Sequence, residues 1–403
     1  VHTAFDRDNR RAAVPPDFAG HTLLCLGTHA WDAHWTPVQQ VMVRLAPRNR
    51  VIYLEPFHPP LAWLLGKHRL LAEQRTQGVA RLREVADNLL VYRPGYPYLP
   101  RNMRSPLAAR LNAPLYRREI AALLRRLDVR KPWLWSFFAQ SLSVLDLEFE
   151  HVIYDCVDEW PAFFPHPQEK RFVTAIDDAL CRRAELVFVG SAPLLETKGP
   201  LNRNTHVVNH AADIAHFGRA ADAATTVAAD LAAIPTPRVG FVGMMDRVRF
   251  DVDLIEQLAR QGKYQVVLIG GYVDGAEQTL PRLPNVHRLG MRPVSALPGY
   301  LKGLDVCIMP YRLNEATRNI YPLKLHEYLA TGKPVVTTAI PAVQEFRHLM
   351  YVADNHADFV RHVDTALAEQ DTARPAARRA CAREHSWEKH VARKIDIINE
   401  VLL

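Results

Sequence analysis

Short apolar runs, most of them closed by a turn residue and several followed by a helical stretch, recur along this chain and restrict it to an alternating α/β architecture. His21–Leu26 (HTLLCL) stops at Gly27, and Val51–Glu55, Trp133–Phe137, Val152–Asp155, Glu185–Gly190 and Thr205–Val208 read as further strands. After an Ala-rich interval the pattern restarts with Arg238–Val242, Gln265–Gly270, Asn285–Leu289 and Asp305–Met309. Thr36–Ala46, Phe172–Arg183, Asp253–Arg260, Leu297–Leu304, Ala357–Glu369 and Ser386–Leu403 read as helices, the first with Thr36 as N-cap and Pro37 at its first position. Strand, loop, helix and strand in that order open a doubly wound sheet, and such sheets take ligands beyond the carboxyl ends of their strands. A chain of 403 residues exceeds one ordinary core. The expected division is a disordered leader over 1–18, a first Rossmann-like domain over 19–215, a linker over 216–237, a second Rossmann-like domain over 238–385, and a final helix over 386–403.

Charge narrows the partners. Lys and Arg exceed Asp and Glu by 7, which favours an anionic ligand: a phosphorylated substrate, an anionic lipid or nucleic acid. No recognisable nucleic-acid-binding motif accompanies the arginines, so nucleic acid is not an expected partner. Residues 57–75 mix Trp63, Leu64, Leu65, Leu70 and Leu71 with Lys67, His68 and Arg69, and Arg101–Lys131 carries Arg104, Arg110, Arg117, Arg118, Arg125 and Arg126 near Tyr96, Tyr98 and Tyr116. Such a face suits an anionic membrane surface; a buried helix with a solvated basic side is the other reading. No apolar run approaches the ~20 residues of a membrane span, and the N-terminus lacks an apolar signal core. The five cysteines are scattered and odd in number, as expected of reduced thiols in a cytoplasmic protein, and no Cys/His grouping has zinc spacing, so no metal site is expected.

The most informative stretch is Asn319–Thr338, NIYPLKLHEYLATGKPVVTT. Pro322 suits a first helical position, Gly332 the residue after the helix, and Pro334-Val335-Val336 the start of a buried strand. The helix tip offers free N–H groups and a favourable dipole to an anion such as a phosphate, with Lys324 adding a charge. Glu327 lies about 7–8 Å along the axis from Pro322, at a rise of ~1.5 Å per residue, roughly the offset between a diphosphate and the hydroxyls of its ribose. A carboxylate there can accept two hydroxyl hydrogen bonds. Ordinary capping of a surface helix is the plainer alternative.

The stretch resembles the nucleotide-sugar site of two-domain (GT-B) glycosyltransferases, in which a Glu precedes an Ala-x-Gly-x-Pro-Val-Val run; here these are Glu327, Ala330, Gly332, Pro334, Val335 and Val336. The resemblance extends over nearly the whole chain in architecture but is specific only here. It implies two Rossmann-like domains facing across a cleft, a final helix returning to the first domain, and transfer of a sugar, of hexosyl type, from a nucleotide diphosphate sugar (UDP-sugar favoured). The acceptor would be a hydroxyl of a saccharide, plausibly lipid-linked, in cell-surface polysaccharide synthesis, with the enzyme cytoplasmic or peripheral on the inner membrane. Asn319, Tyr321, Pro322, Leu323, Lys324 and Glu327 form the expected donor-binding set. Retaining members usually carry a second Glu eight positions before the first, where this chain has Asn319. That departure leaves retention in doubt.

Exopolysaccharide and teichuronic-acid-type members of this group, among them the xanthan glucuronosyltransferase, supply further correspondences. Tyr154-x-x-x-Asp158 resembles a stretch whose Asp is the base of an inverting reaction, implying Asp158 as the group that takes the acceptor's proton. Asp155, His29 and His34 sit on candidate acceptor-side loops after strands, with a structural carboxylate that holds the loop the plainer reading for Asp155, and ordinary hydrogen bonding or packing the plainer reading for each histidine. Gly243, Met245 and Arg247 belong to the first loop of the second domain, where small Gly and Arg let backbone and cation approach phosphate, and Met245 resembles a nucleotide-contacting Met. Gly270 and Met291 close the next two strands and would face the base, and Tyr311 would line the donor. No cofactor or metal is required if these cations and the helix tip carry the leaving-group charge. A sugar-nucleotide epimerase of the same fold, and a non-catalytic nucleotide-sugar or polysaccharide-binding scaffold, remain alternatives.

Overall fold

The computed structural model describes residues 18–32, 35–56, 81–95, 98–164, 166–273 and 275–403. His34, Tyr96 and the apolar and basic segment 57–75 lie outside the described residues, as does the leader up to residue 17. Phe18, assigned above to the leader, is fully buried and packs on Trp133 with ring centroids 5.4 Å apart, so ordered structure includes it.

The chain divides into two compact units, the first running through Asn209 and resuming at Glu388–Leu403, the second comprising His210–Trp387. The first unit holds β1 (Thr22–Leu26), β2 (Arg50–Leu54), β3 (Leu82–Ala86), β4 (Leu89–Tyr92), β5 (Trp133–Ser136), β6 (Val152–Cys156), β7 (Leu186–Val189) and β8 (Thr205–Val207). They form one sheet in the order β3-β4-β2-β1-β5-β6-β7-β8, parallel throughout except for the antiparallel β3–β4 pair. Its helices are α1 (Pro37–Leu45), α2 (Pro106–Arg126), α3 (Pro167–Arg183) and α4 (Ala192–Lys198). Thr36 caps α1 as its sequence implies, donating its backbone N–H to Gln39 Oε1 at 3.0 Å.

In the second unit β9 (Arg238–Val242), β10 (Gln265–Ile269), β11 (Val286–Gly290), β12 (Val306–Met309), β13 (Val335–Thr338) and β14 (Tyr351–Ala353) form an all-parallel sheet in the order β11-β10-β9-β12-β13-β14. This is the strand order of a Rossmann fold, whose ligand crevice opens at the carboxyl ends of the two strands where the order reverses, here β9 and β12. Around it lie α5 (Ile214–Gly218), α6 (Ala229–Ala232), α7 (Val252–Ala259), α8 (Leu297–Gly303), α9 (Glu315–Asn319), α10 (Leu323–Thr331), α11 (His356–Leu367) and α12 (Arg374–Arg383). The central residues of β9, β10, β12 and β13 are buried, as parallel strands covered on both faces must be.

Residues 216–237 are not a linker. Phe217, Ala220, Leu231 and Ile234 are buried in the second unit's core with Leu301, Leu304 and Tyr328. Small alanines between these anchors dilute the apolar period without preventing close packing. The chain instead crosses at Asn209/His210 and again at Trp387/Glu388. The last helix, α13 (Trp387–Leu402), belongs from Glu388 onward to the first unit. Arg44 meets Glu388 at 2.9 Å, His390 Nδ1 lies 2.8 Å from the Asn209 carbonyl, and Lys394 is buried in a hydrogen-bonded ion pair with Asp155. The GT-B architecture is therefore present: two parallel-sheet α/β units, with the terminal helix returned to the first.

Candidate functional site

Two backbone devices build the site in the second unit. Pro322 stands at the N-cap of α10 rather than inside the helix, with ψ of 129°, and Gly332 ends it with φ of +77°. A proline side chain accepts nothing, so no side-chain cap occupies the first-turn amides. Tyr328 pins the helix to the carboxyl end of β9, its hydroxyl accepting the Val242 N–H at 2.8 Å. The second device is the turn after β9. Gly243 adopts φ of +151° and donates to the Ile269 carbonyl at 2.8 Å; Gly270, at φ of +142°, packs so tightly on the Gly243 carbonyl that a β-carbon would overlap it.

These devices bring Lys324 onto Gly243. A β-carbon at position 243 would overlap Lys324 Cε and Nζ, and the ammonium lies 5.3 Å from the Phe241 ring centroid. Burial pushes the Lys324 ammonium below its usual range, Glu327 pulling it back and Arg249 pushing it further down. Burial pushes the Glu327 carboxyl up, opposed by Lys324 and reinforced by Asp213. Both side chains retain partial exposure. The cation and carboxylate thus sit in one another's field near the crevice between β9 and β12, each held where its charged form is disfavoured. A diphosphate beside the lysine would restore its charged form.

The neighbouring candidate residues divide. Tyr311 is buried, its hydroxyl raised by burial and felt by Arg249, Glu327 and Asp246. Arg247 points outward and is exposed, whereas Arg249 is held inward: Asp246 accepts the backbone N–H groups of Val248 and Arg249 at 2.9 and 2.7 Å and pairs with Arg249 Nε at 2.7 Å. The cation that faces Lys324 and Tyr311 is therefore Arg249, because the Asp246 turn reverses the chain before it. Met245 is fully buried among Phe241, Phe250 and Leu254, and only its backbone reaches Gly271, at 2.9 Å. Met244 is the partly exposed one of the two, its thioether and that of Met291 flanking Gly271. Met291 is 56% exposed, and Gly270 donates to the Gly290 carbonyl at 2.9 Å, so the turns after β9, β10 and β11 form one ledge.

Asn319 is buried and donates to the Glu315 carbonyl at 2.8 Å within its own short helix. Tyr321 is buried with its hydroxyl 2.8 Å from His326 Nε2, and His326 stacks on His385 at 4.0 Å. Pro322 is buried and Leu323 partly exposed. Arg249 and Met244 were missed in sequence; Asp246 three residues before Arg249 was the available signal for the first.

In the first unit, β1 and β5 mark the reversal of strand order, and the loop after β1 carries His29. Its ring nitrogen lies 2.8 Å from Thr28 Oγ1, and its carbonyl accepts the Tyr53 hydroxyl at 2.7 Å. Asp158 follows β6, is partly exposed, and its carbonyl accepts the Trp160 N–H at 3.0 Å. Asp155 is not an acceptor-side group: it is 2% exposed, paired with Lys394 and bonded by Trp135 Nε1 at 3.1 Å. As the fourth residue of β6 it points into the layer that α13 covers. His29, Asp155 and Asp158 are not joined in one cluster by any hydrogen bond among the described contacts.

Comparison with known proteins agrees with this geometry. Residues 236–369 match the family described as glycosyl transferases group 1. A Bacillus subtilis (strain 168) protein named as a teichuronic acid biosynthesis glycosyltransferase, TuaH, is 26% identical over 302 residues, 68% of this chain and 74% of that one. Among solved structures, sucrose-phosphate synthase of Thermosynechococcus elongatus superimposes with a TM-score of 0.66 at 15% identity, covering 94% of this chain and 99% of that one. HepE of Anabaena in complex with UDP gives 0.65 at 14%, covering 95% and 100%. These likenesses establish the fold.

Proposed function

We propose that this GT-B glycosyltransferase, whose second unit carries the group 1 domain, moves a sugar from a UDP-sugar to a saccharide hydroxyl in cell-surface polysaccharide synthesis. The observation that carries the reading is the placement of Lys324 across Gly243 at the tip of α10, with Glu327 following on the same helix. The uncapped first turn and the lysine bind the diphosphate; Glu327 takes the ribose hydroxyls; the ledge of Met244, Gly271 and Met291 receives the base. UDP in the solved complex of HepE supports uridine as the base. As the bond from the anomeric carbon to the diphosphate breaks, Lys324, Arg249 and the helix amides stabilise the charge on the departing oxygen. Asp158 takes the proton of the attacking hydroxyl, and inversion follows from a single displacement. The acceptor is lipid-linked, which places the enzyme on the cytoplasmic face of the membrane as a peripheral protein; the cationic first unit supports this.

A thermal-shift screen of UDP, GDP and dTDP tests the donor assignment. UDP stabilises by about 2.7 kcal/mol at a hundred times its Kd. Glu327→Ala abolishes most of that shift. An undiminished shift in the variant removes the ribose contact and with it the reading.

A further inference from the structure

We propose that the loops after β5 and β6 seat the acceptor saccharide, with a pyranose ring lying on an aromatic platform built around Trp160. Two turns supply the platform. Phe138 follows β5; Trp160 and Phe163 open and close a short 3-10 turn after β6, and Phe164 comes next. Trp160 meets Phe138 edge-on with ring centroids 5.0 Å apart, and Phe163 at 6.4 Å. Arg104 covers Phe164 at 5.5 Å and pairs with Glu169 at 3.2 Å. All four aromatic residues are partly exposed.

Trp160 is the informative member. Its Nε1–H is buried and has no hydrogen-bond partner among the described residues, so the side-chain surface it offers to solvent is carbon. An unmade hydrogen bond of this kind costs about 1–3 kcal/mol. Phenylalanine would pack at this position without that cost. What tryptophan adds is a wider flat face, which suits the C–H face of a pyranose.

Position separates this face from a stray apolar patch. Trp160 stands two residues after Asp158 and donates its backbone N–H to the Asp158 carbonyl at 3.0 Å, so the base and the platform ride on one turn. That turn is held from beneath. Cys156 Sγ donates to the same carbonyl at 3.4 Å, and Glu159, between the two, lies 3.9 Å from Lys198, which is itself buried against Asp177. A ring laid on Trp160 thus lies beside Asp158 without the loop having to reorganise. Hydrogen-bonding groups continue from the platform. The residues after Phe138, Ala139 and Gln140, form part of the wall of a cavity of about 260 Å³, together with Asn102, Tyr116 and Ser143, and Arg110 is its single charged lining residue. α2 and α3 run antiparallel to the strands they precede, so their first halves bring the remaining walls to the same carboxyl end of the sheet. Amides and hydroxyls beside aromatic carbon are what a saccharide needs; a hydrocarbon ligand would need carbon alone. Naming the bound saccharide as the acceptor rests on the transfer reading above.

The test is saturation-transfer NMR of the full chain with the methyl β-glycosides of glucose, galactose, mannose and N-acetylglucosamine, and with cyclohexylmethanol as an apolar control. At least one glycoside receives saturation, strongest at the C–H protons of one ring face, and the control receives little. Trp160→Ala weakens the Kd for that glycoside by roughly 3- to 10-fold. Trp160→Phe, which keeps the packing, weakens it by a smaller factor and serves if the alanine variant folds poorly. Both variants keep the UDP-induced thermal shift. Absence of binding by every glycoside, binding unchanged in both variants, or control binding as strong as any glycoside's overturns the proposal. Glycoside binding that depends on Trp160, with no UDP shift in the wild type, sinks the donor assignment and leaves this seat standing; a UDP shift without glycoside binding does the reverse.

Discussion

Gly243→Ala places a methyl group where the end of Lys324 now lies. The change has two separable costs. The backbone at φ of +151° is close to a glycine-only conformation, and holding alanine there costs about 1–3 kcal/mol of stability. The methyl also overlaps Lys324 Cε and Nζ, and since these are the far end of a flexible side chain, the lysine moves rather than the backbone. If the ammonium makes a charge-assisted bond to the diphosphate, its displacement forfeits about 1.5–3 kcal/mol, roughly 10- to 150-fold in Kd. For a ~30-fold loss, UDP at a hundred times the wild-type Kd stabilises the variant by about 0.9 kcal/mol instead of ~2.7. On a unit of this size that is a thermal shift of roughly 2–3 °C in place of 5–10 °C. Calorimetric titration with UDP and a melting curve with and without ligand measure both costs. A variant that melts earlier yet keeps the wild-type Kd for UDP refutes the assignment of Lys324 to the diphosphate. Gly270→Ala is the contrast: its methyl meets the backbone carbonyl of Gly243, which cannot swing aside, so its stability loss exceeds that of Gly243→Ala.

Three further outcomes are expected. Asp158→Asn keeps the UDP shift and loses transfer by at least ~100-fold in kcat; retained turnover removes Asp158 as the base. Lys394→Met strands Asp155 without its buried partner and lowers stability by about 3–5 kcal/mol in urea unfolding, whereas a loss under ~1 kcal/mol would show the pair to be solvated. Affinity for UDP is greatest between the raised Glu327 pKa and the lowered Lys324 pKa. It falls toward acid as the ribose-binding carboxylate protonates, and toward alkali as free Lys324 loses the proton that the bound diphosphate would retain. Titration calorimetry across pH should show the acid limb vanish in Glu327→Gln and the alkaline limb in Lys324→Met; limbs unchanged in both variants would count against the pair.

Most strands of both sheets were legible because parallel strands buried on both faces leave apolar runs, and α10 because Pro322 and Gly332 punctuate it; β14, three residues long, was too short to show. The β3–β4 hairpin escaped notice although Asp87-Asn88 joins its strands, with Asn88 in the left-handed region at φ of +62°; its partly polar edge strand hides the alternation. Within the site, sequence located the loops but not which side chain of each pair faces inward. Met244 and Met245, or Arg247 and Arg249, are chemically equivalent on paper. The Gly243 conformation and the Asp246 turn decide between them, and neither dihedrals nor turn direction can be read from composition. Asp155 looked like a loop carboxylate because its partner, Lys394, lies 239 residues away.

The most direct measurement is a crystal structure of the chain with UDP bound. Diphosphate oxygens are expected within ~3.2 Å of Lys324 Nζ and of the first-turn amides of α10, with both ribose hydroxyls donating to Glu327. UDP seated elsewhere, with Lys324 still lying on Gly243 and Glu327 touching no ribose, would contradict this placement.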